Sequence, residues 1–231
     1  MNTALIMAAG SGQRMNSEIP KQFINIQNKP VLIYTLLGFQ NHPEIDQIAV
    51  VCLDGWEVVL KAYTEHHNIN KLVKITKGGD TVQESIRNGV LQLEDICQPE
   101  DIVIIHDGIR PLVDESVLSD VIEKCKTFGN GVSSLPYNEQ IFIKNNDFST
   151  SEYIPRENLR RVVTPQAYKY GKLLWAYNKA FTEQVGIFGS SYTNTMMVDL
   201  GEVLFFAKGS DKNIKLTNQD DLAIITSYLE D

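Results

Sequence analysis

The sequence contains few cysteines, and their spacing is not that of metal ligands or of a disulfide framework. Cys52, Cys97 and Cys125 are odd in number and lie far apart in the chain. This pattern disfavours a secreted disulfide scaffold and a zinc-finger type of metal site. A reducing compartment is the simplest setting for such a chain, and we therefore expect a cytoplasmic protein.

Long hydrophobic runs and an excess of positive charge are also missing. No apolar run approaches the roughly 18 residues that a membrane-spanning helix needs, so we expect no membrane partner. No basic segment precedes an apolar one at the N-terminus, so we expect no signal peptide. The formal net charge of −8 argues against broad binding to nucleic acid. A strongly anionic ligand would therefore need a few Lys and Arg residues concentrated beside glycines.

Neither of the two common phosphate-binding motifs is present. A P-loop requires Gly, four residues and then Gly-Lys-Ser/Thr, and the chain has no such stretch. The dinucleotide-binding motif requires a third glycine three residues after the second. In the stretch AAGSGQRM (residues 8–15), Met15 occupies that place.

The same stretch nevertheless has the features of an anion-binding loop. It follows the apolar run 4–7, which predicts a buried strand that leads directly into small residues. Gly10 and Gly12 lack a Cβ atom, so the backbone can approach a ligand closely. Arg14 and Lys21 supply positive charge. Polyphosphate binding is one interpretation, and an ordinary strand-to-helix turn with two glycines is the other.

Alternating strands and helices predict an α/β fold with a largely parallel, doubly wound sheet. We expect one domain over residues 1–231, since no linker or repeat divides the chain. The predicted strands are 3–9, 46–53, 72–76, 101–107, 131–135 and 203–207, with a strand-like run at 213–216. Helices are predicted at 30–40, 56–67, after residue 80, at 114–128, 168–181, 192–200 and after 217. Because ligands bind at the carboxyl ends of parallel strands, segments 8–14, 78–80 and 106–111 should line one crevice.

Residues 136–163 interrupt this alternation. Two β-type runs, 140–144 and 151–154, flank Asn145-Asn146-Asp147, which predicts a protruding hairpin with a polar tip. An isolated two-stranded arm is only marginally stable in water. We therefore expect the arm to rest on a second subunit, with packing on its own domain as the alternative.

Six stretches together resemble the cytidylyltransferases that activate polyol phosphates. This group includes the 2-C-methyl-D-erythritol 4-phosphate enzyme of isoprenoid synthesis and the ribitol 5-phosphate enzymes of wall and capsule synthesis. The stretches cover nearly the whole chain in the family's order: residues 8–15, Pro20-Lys21-Gln22, Gly78-Gly79-Asp80 with Ser85, His106-Asp107 through Arg110-Pro111, Thr164-Pro165-Gln166, and Asn213-Ile214-Lys215 with Asp220-Asp221-Leu222. The resemblance implies a Rossmann-like nucleotidyltransferase fold with helices on both faces of the sheet. It also implies CTP as a substrate, Mg²⁺, and a homodimer joined by a β-arm at about 137–160.

The resemblance also implies roles for individual residues. Arg14, Lys21 and Lys215 would surround the triphosphate as the catalytic cations. Asp107 would lie at the metal and beside the sugar phosphate. The remaining roles belong to two groups: Ala8, Ala9, Gly10, Gly12, Gly79, Asp80 and Ser85 would hold the cytidine nucleotide, and Arg110, Arg156 and Thr164 would contact the second substrate. Arg156 is on the arm and would reach its own site or a neighbouring subunit's site.

Three departures from the erythritol-type pattern fall on the acceptor side. Asn194 stands where a carboxylate is expected, Gly108-Ile109 replaces Ala-Ala, and Gln140 stands near the place of an expected threonine. We therefore favour ribitol 5-phosphate or another alditol phosphate as the acceptor over the erythritol substrate. His106 follows an apolar strand and is interpreted as a packed side chain rather than a general base.

Two further interpretations remain open. A sugar-1-phosphate nucleotidyltransferase that uses UTP or another nucleotide would share the first loop. A nucleotide-binding module that has lost catalysis would explain Asn194.

Overall fold

A computed structural model describes residues 1–10, 19–189 and 191–230. The strands are β1 (Asn2–Ala8), β2 (Asn25–Ile26), β3 (Lys29–Pro30), β4 (Gln47–Cys52), β5 (Leu72–Lys77), β6 (Ile102–Asp107), β7 (Asn130–Pro136), β8 (Ile141–Asn146), β9 (Ser149–Ile154), β10 (Arg160–Lys169) and β11 (Phe206–Lys208). The α-helices are α1 (Val31–Asn41), α2 (Glu57–His66), α3 (Val82–Leu91), α4 (Glu115–Phe128), α5 (Tyr170–Glu183), α6 (Thr193–Asp199) and α7 (Gln219–Glu230).

Seven strands form the central sheet in the order β11-β7-β10-β6-β1-β4-β5. Strand β1 pairs in parallel with β4 and β6, and β4 pairs in parallel with β5. Strand β10 runs antiparallel to both of its neighbours, β6 and β7, while β11 is parallel to β7. The predicted mostly parallel α/β sheet is therefore confirmed, and β10 is its one reversed strand.

Helices cover both faces of the sheet because the central strands are apolar on both sides. One buried cluster joins alternate residues of β1, β4 and β6 to α1 and α4, with Leu32 and Leu118 fully buried. The other cluster joins the intervening residues to α3 and α5, with Val90 and Leu173 fully buried. Strands that are buried on both faces read as continuous apolar runs, which is why the sequence predicts β1, β4 and β6 well.

Local side chains fix the helix starts beside the sheet's carboxyl edge. Asp114 accepts hydrogen bonds from the backbone N–H groups of Ser116 and Val117, as predicted for the first turn of α4. Thr81 and Glu84 cap α3 reciprocally. These caps hold the loops that follow β5 and β6 in defined positions.

The predicted hairpin is present and is formed by β8 and β9, which make a two-stranded sheet of their own. Its turn lies at Asp147 and Phe148, later than the predicted tip, because Asn145 and Asn146 belong to β8. The side chain of Phe148 is 98% exposed, so the tip is not wholly polar.

The structure differs from the sequence prediction in three places. Thr164-Pro165-Gln166 does not precede a helix directly but lies within β10, and α5 begins only at Tyr170. Residues 213–216 form no strand, since Ile214 N–H bonds to Lys212 O and Leu216 N–H to Ile109 O. The late strand β11 is also shorter than predicted. No helix in the described part of the chain is long and apolar enough to cross a membrane.

Candidate active site

The carboxyl ends of β1, β4, β5 and β6 open into one cavity of about 550 Å³. Most of the predicted site residues line it. Its described lining consists of Met7, Ala8, Ala9, Gly10, Lys21, Gln22, Leu53, Gly79, Asp80, Thr81, Val82, Ser85, Asp107, Ile109, Tyr192 and Lys215. The predicted crevice at this edge is therefore present, and its volume is typical of small-molecule sites.

Gln22 holds the loop after β1 in place through two hydrogen bonds. This side chain is 1% exposed and donates to Ala8 O at 2.8 Å and to Gly10 O at 3.1 Å. A Cβ on Gly10 would meet no atom of the described residues within 4 Å. Gly12 and Arg14 lie outside the described residues. Gln22 thus shapes the start of the loop, a role that the sequence analysis missed.

The loop after β5 is held by Ser85, from the first turn of α3. Gly79 N–H donates to Ser85 Oγ at 3.0 Å, and the same hydroxyl lies 3.3 Å from Gly79 O. A Cβ on Gly79 would lie 2.5 Å from Glu84 Cβ, so the turn accepts only glycine without movement. The segment Gly79–Asp80 therefore presents a closely fixed backbone to the cavity.

Three charged groups meet at the end of β6. Asp107 Oδ2 accepts from Arg110 Nε at 2.9 Å and lies 3.1 Å from Lys215 Nζ. Lys215 lies in the loop before α7, more than a hundred residues after Asp107 in the sequence. The carboxylate therefore holds Lys215 and Arg110 together, and of these two cations Lys215 lines the cavity.

Thr164 and Asn213 complete this cluster from the side of β10. Thr164 Oγ1 accepts from Asp107 N–H at 3.2 Å, and Asn213 Nδ2 donates to Thr164 O at 2.6 Å. Asn213 O in turn accepts from Arg110 Nη1 at 2.7 Å. The hydrogen bonds form a closed ring, so neither Arg110 nor Thr164 is positioned independently of Asp107.

The charges in this cluster set the protonation of Asp107 and His106. Burial by itself would raise the pKa of Asp107, but the positive charges of Lys215 and Arg110 outweigh it and lower the pKa to about 2. Burial lowers the pKa of His106 to about 4, and its Nε2 lies 3.2 Å from Arg110 O. At neutral pH Asp107 is therefore an anion and His106 is a neutral, fully buried side chain, consistent with the packed histidine expected from the sequence.

The described lining contains two carboxylates, Asp80 and Asp107. Within residues 1–10, 19–189 and 191–230, no group of three or more His, Cys, Asp or Glu side chains is placed to hold a metal. Mg²⁺ typically takes one or two carboxylates and completes its shell with water and substrate phosphates. The cavity therefore fits a magnesium ion that a phosphate ligand brings with it, but not a metal held by protein alone.

Arg156 is not brought into this cavity. It lies at the base of the arm, donates to Asn138 O at 3.2 Å, and lines a separate surface depression with Tyr137, Arg160 and Phe206. Its side chain is more than half exposed.

The three sequence departures have different structural settings. Asn194 Oδ1 accepts from Thr195 N–H at 2.9 Å, so its side chain bonds to the backbone of the first turn of α6. A Cβ on Gly108 would lie 2.8 Å from Leu32 Cδ1, and this glycine therefore makes room for core packing. Gln140 is exposed on the arm.

Tyr192 lines the cavity and was missed by the sequence analysis. It is the one aromatic residue among the described lining residues, and Lys215 Nζ lies 5.8 Å from its ring centroid. It precedes α6 and follows a loop, so no periodic pattern marks it.

Comparisons with known proteins agree with this geometry. Residues 2–231 match the family described as "IspD: 2-C-methyl-D-erythritol 4-phosphate cytidylyltransferase". A ribitol-5-phosphate cytidylyltransferase from Lacticaseibacillus paracasei is 56% identical over 100% of this chain and 99% of its own. A 2-C-methyl-D-erythritol 4-phosphate cytidylyltransferase from Clostridium botulinum is 35% identical over 99% and 97% of the two chains. The crystal structure of 4-diphosphocytidyl-2C-methyl-D-erythritol synthase from Anaerococcus prevotii superposes with a TM-score of 0.83, at 23% identity over 100% and 98%.

Proposed function

The chain belongs to the IspD family of cytidylyltransferases, and we propose that it transfers CMP from CTP to ribitol 5-phosphate. The products are CDP-ribitol and pyrophosphate. The observation that supports this acceptor is the 56% identity over the full chain to the ribitol-5-phosphate cytidylyltransferase of Lacticaseibacillus paracasei, against 35% to the 2-C-methyl-D-erythritol 4-phosphate cytidylyltransferase of Clostridium botulinum.

The bond changes follow from two anionic reactants. An oxygen of the acceptor's phosphate forms a bond to the α-phosphorus of CTP, and the bond from that phosphorus to the α–β bridging oxygen breaks. Pyrophosphate leaves with the bonding electron pair. A phosphate dianion is already a nucleophile, so no side chain has to remove a proton. This agrees with a neutral, buried His106 that does not line the cavity.

The protein's task is then to bring two anions together and to hold the attacking oxygen in line. Lys21 and Lys215 line the cavity and would stabilise the charge that develops on the α-phosphate and on the leaving pyrophosphate. Arg14 would join them from the part of the loop that lies outside the described residues. Asp107 orients Lys215 and Arg110, and Arg110 with Thr164 would face the acceptor phosphate.

The nucleotide would lie at the other end of the cavity. The fixed backbone of Ala8, Ala9, Gly10, Gly79 and Asp80, with Ser85 behind it, would lie against the cytidine. Mg²⁺ held by Asp107 at the end of β6 and by the nucleotide's phosphates would neutralise negative charge where the two substrates meet.

We also propose that the enzyme is a homodimer joined by the arm. Phe142 and Tyr153 on the two strands of the arm, and Phe148 in its turn, each expose more than half of their surface, which favours a covered rather than a solvated arm. In such a dimer Arg156 would act at the partner's site. The three cysteines are buried and unpaired, which suits the cytoplasm.

Methylerythritol 4-phosphate is the second candidate acceptor, since the matched family carries that enzyme's name. The deciding experiment measures pyrophosphate release from each of four nucleoside triphosphates with ribitol 5-phosphate, methylerythritol 4-phosphate and sugar 1-phosphates. We expect turnover with CTP and ribitol 5-phosphate. A preference for UTP with a sugar 1-phosphate would overturn the proposal, and CTP binding without release from any acceptor would indicate a binding module.

A further inference from the structure

Tyr192 is an aromatic side chain in a cavity whose other described lining residues are aliphatic, polar or charged. It is 46% exposed, so nearly half of its surface remains available to a ligand. Its ring lies beside Lys215, which in turn contacts Asp107 at the end of β6. Tyr192 therefore belongs to the end of the cavity where the charged cluster lies.

That end is separate from the proposed cytidine site. The Gly79–Ser85 loop follows β5, and the strand order β5-β4-β1-β6 puts three strand spacings between it and Asp107. At roughly 4.8 Å per spacing, the two ends lie on the order of 14 Å apart along the sheet edge. The ring of Tyr192, which lies beside Lys215, is therefore close to the place where the acceptor and the phosphates of CTP would meet.

The backbone around Tyr192 is anchored by hydrogen bonds. Its N–H donates to Thr195 Oγ1 at 2.8 Å, and its carbonyl accepts from the same hydroxyl at 3.0 Å. Thr193 Oγ1 lies 2.8 Å from the hydroxyl of Tyr177, which donates to Gln83 Oε1 at 3.1 Å. These three side chains are buried, so the segment is fixed to α3 while the side chain of Tyr192 stays in the cavity.

Asn194, which the sequence analysis singled out, does not share this position. Its side chain bonds to Thr195 N–H, and Asn194 is not among the residues that line the cavity. Of Tyr192 and Asn194, Tyr192 is the one that lines the cavity, where a substrate can contact it.

We infer that Tyr192 determines acceptor specificity, its hydroxyl binding a hydroxyl group of the polyol. The inference rests on the proposed function. A phenol both donates and accepts hydrogen bonds, so it can pair with a polyol hydroxyl in either sense. Ribitol 5-phosphate has one more free hydroxyl than the methylerythritol phosphate and lacks its methyl branch. A site built to bond a hydroxyl rejects analogues that lack it, because its polar group is then left unpaired.

The test compares Tyr192→Phe with wild type by steady-state kinetics, varying ribitol 5-phosphate at saturating CTP and then CTP at saturating acceptor. Tyr228→Phe is the matched control. Tyr228 lies on α7, is 42% exposed, and its ring also lies beside a lysine, 5.4 Å from Lys212 Nζ. We expect Tyr192→Phe to raise KM for ribitol 5-phosphate about tenfold, the effect of one lost hydrogen bond. KM for CTP should stay at the wild-type value, and the Tyr228→Phe enzyme should match wild type in both constants.

Two results would overturn the role of Tyr192. One is an unchanged KM for ribitol 5-phosphate, and the other is an equal rise in KM for CTP, which would place the side chain at the nucleotide. Failure of the proposed function looks different, because the wild-type protein would then release no pyrophosphate with ribitol 5-phosphate at all.

Discussion

Lys215 Nζ lies 3.1 Å from Asp107 Oδ2, so the cation proposed to meet the phosphates is itself held by a carboxylate at the end of β6. An ammonium group held in this way needs little reorganisation when charge develops nearby. The same carboxylate also binds Arg110, so one anion links the two proposed substrate-binding cations.

The first prediction concerns the lysines. Lys215→Ala and Lys21→Ala should each lower kcat by about 10²–10³, the usual cost of losing one positioned group that stabilises transition-state charge. Lys212→Ala is the control, because Lys212 lies in the same loop but packs over Tyr228. Circular dichroism should show an unchanged fold. A near-wild-type kcat for Lys21→Ala would remove that residue from the mechanism.

The second prediction concerns stability and pH. The folded pKa of Asp107, about 2, lies below the ordinary value near 3.9, so the ionised carboxylate stabilises the fold above about pH 4. That contribution is lost as the pH falls from about 4 through 2. Urea unfolding should therefore show wild type more stable than Asp107→Asn at pH 7, with a smaller difference near pH 3.

The control for this measurement is Asp211→Asn, since Asp211 pairs with Arg161 but is 89% exposed at its side chain. It should cause little change at either pH, because exposed ion pairs contribute little. If wild type and Asp107→Asn differ in free energy of unfolding by the same amount at pH 7 and pH 3, the lowered pKa of Asp107 is contradicted.

The third prediction tests whether Arg156 acts across subunits. Arg156→Ala and Lys21→Ala should each be poorly active alone. Mixing the two after unfolding and refolding should restore activity, because one site of each hybrid dimer then receives an intact Lys21 and an intact Arg156. Mixtures that stay inactive, while gel filtration shows a dimer, would assign Arg156 to its own subunit.

The fourth prediction concerns the metal. EDTA should abolish pyrophosphate release and Mg²⁺ should restore it, since the two lining carboxylates leave most metal ligands to the substrates. Unfolding temperature without nucleotide should be the same with and without EDTA. Full activity in EDTA would refute the assignment.

Much of the fold was predictable because β1, β4 and β6 are buried on both faces and read as apolar runs. The identification as a cytidylyltransferase from six separated motifs is likewise confirmed by the comparisons. Strand β10 was missed because it begins with Arg160-Arg161 and contains Pro165, a residue that interior strands rarely hold. Its ladder is interrupted between Val162 and Gln166, so tertiary pairing rather than local preference makes it a strand.

The site was predictable where it followed strand ends. Gly79, Asp80 and Asp107 are brought together because parallel strands finish at one edge. Gln22 and Tyr192 were not assigned roles, since the first acts on backbone carbonyls and the second follows a loop without periodicity. The ring through Arg110, Asn213 and Thr164 also depends on contacts between distant segments, which no local pattern encodes.

The reversal of β10 has a consequence for how the arm is attached. The β7–β10 ladder runs up to the pair Pro136 and Arg160, so the arm is an extension of the connection between two adjoining strands. Changes of length or sequence between residues 137 and 159 would leave the ladder's register in place. The proposed assembly surface could therefore diverge among relatives, or be exchanged by design, while the edge of the central sheet keeps its geometry.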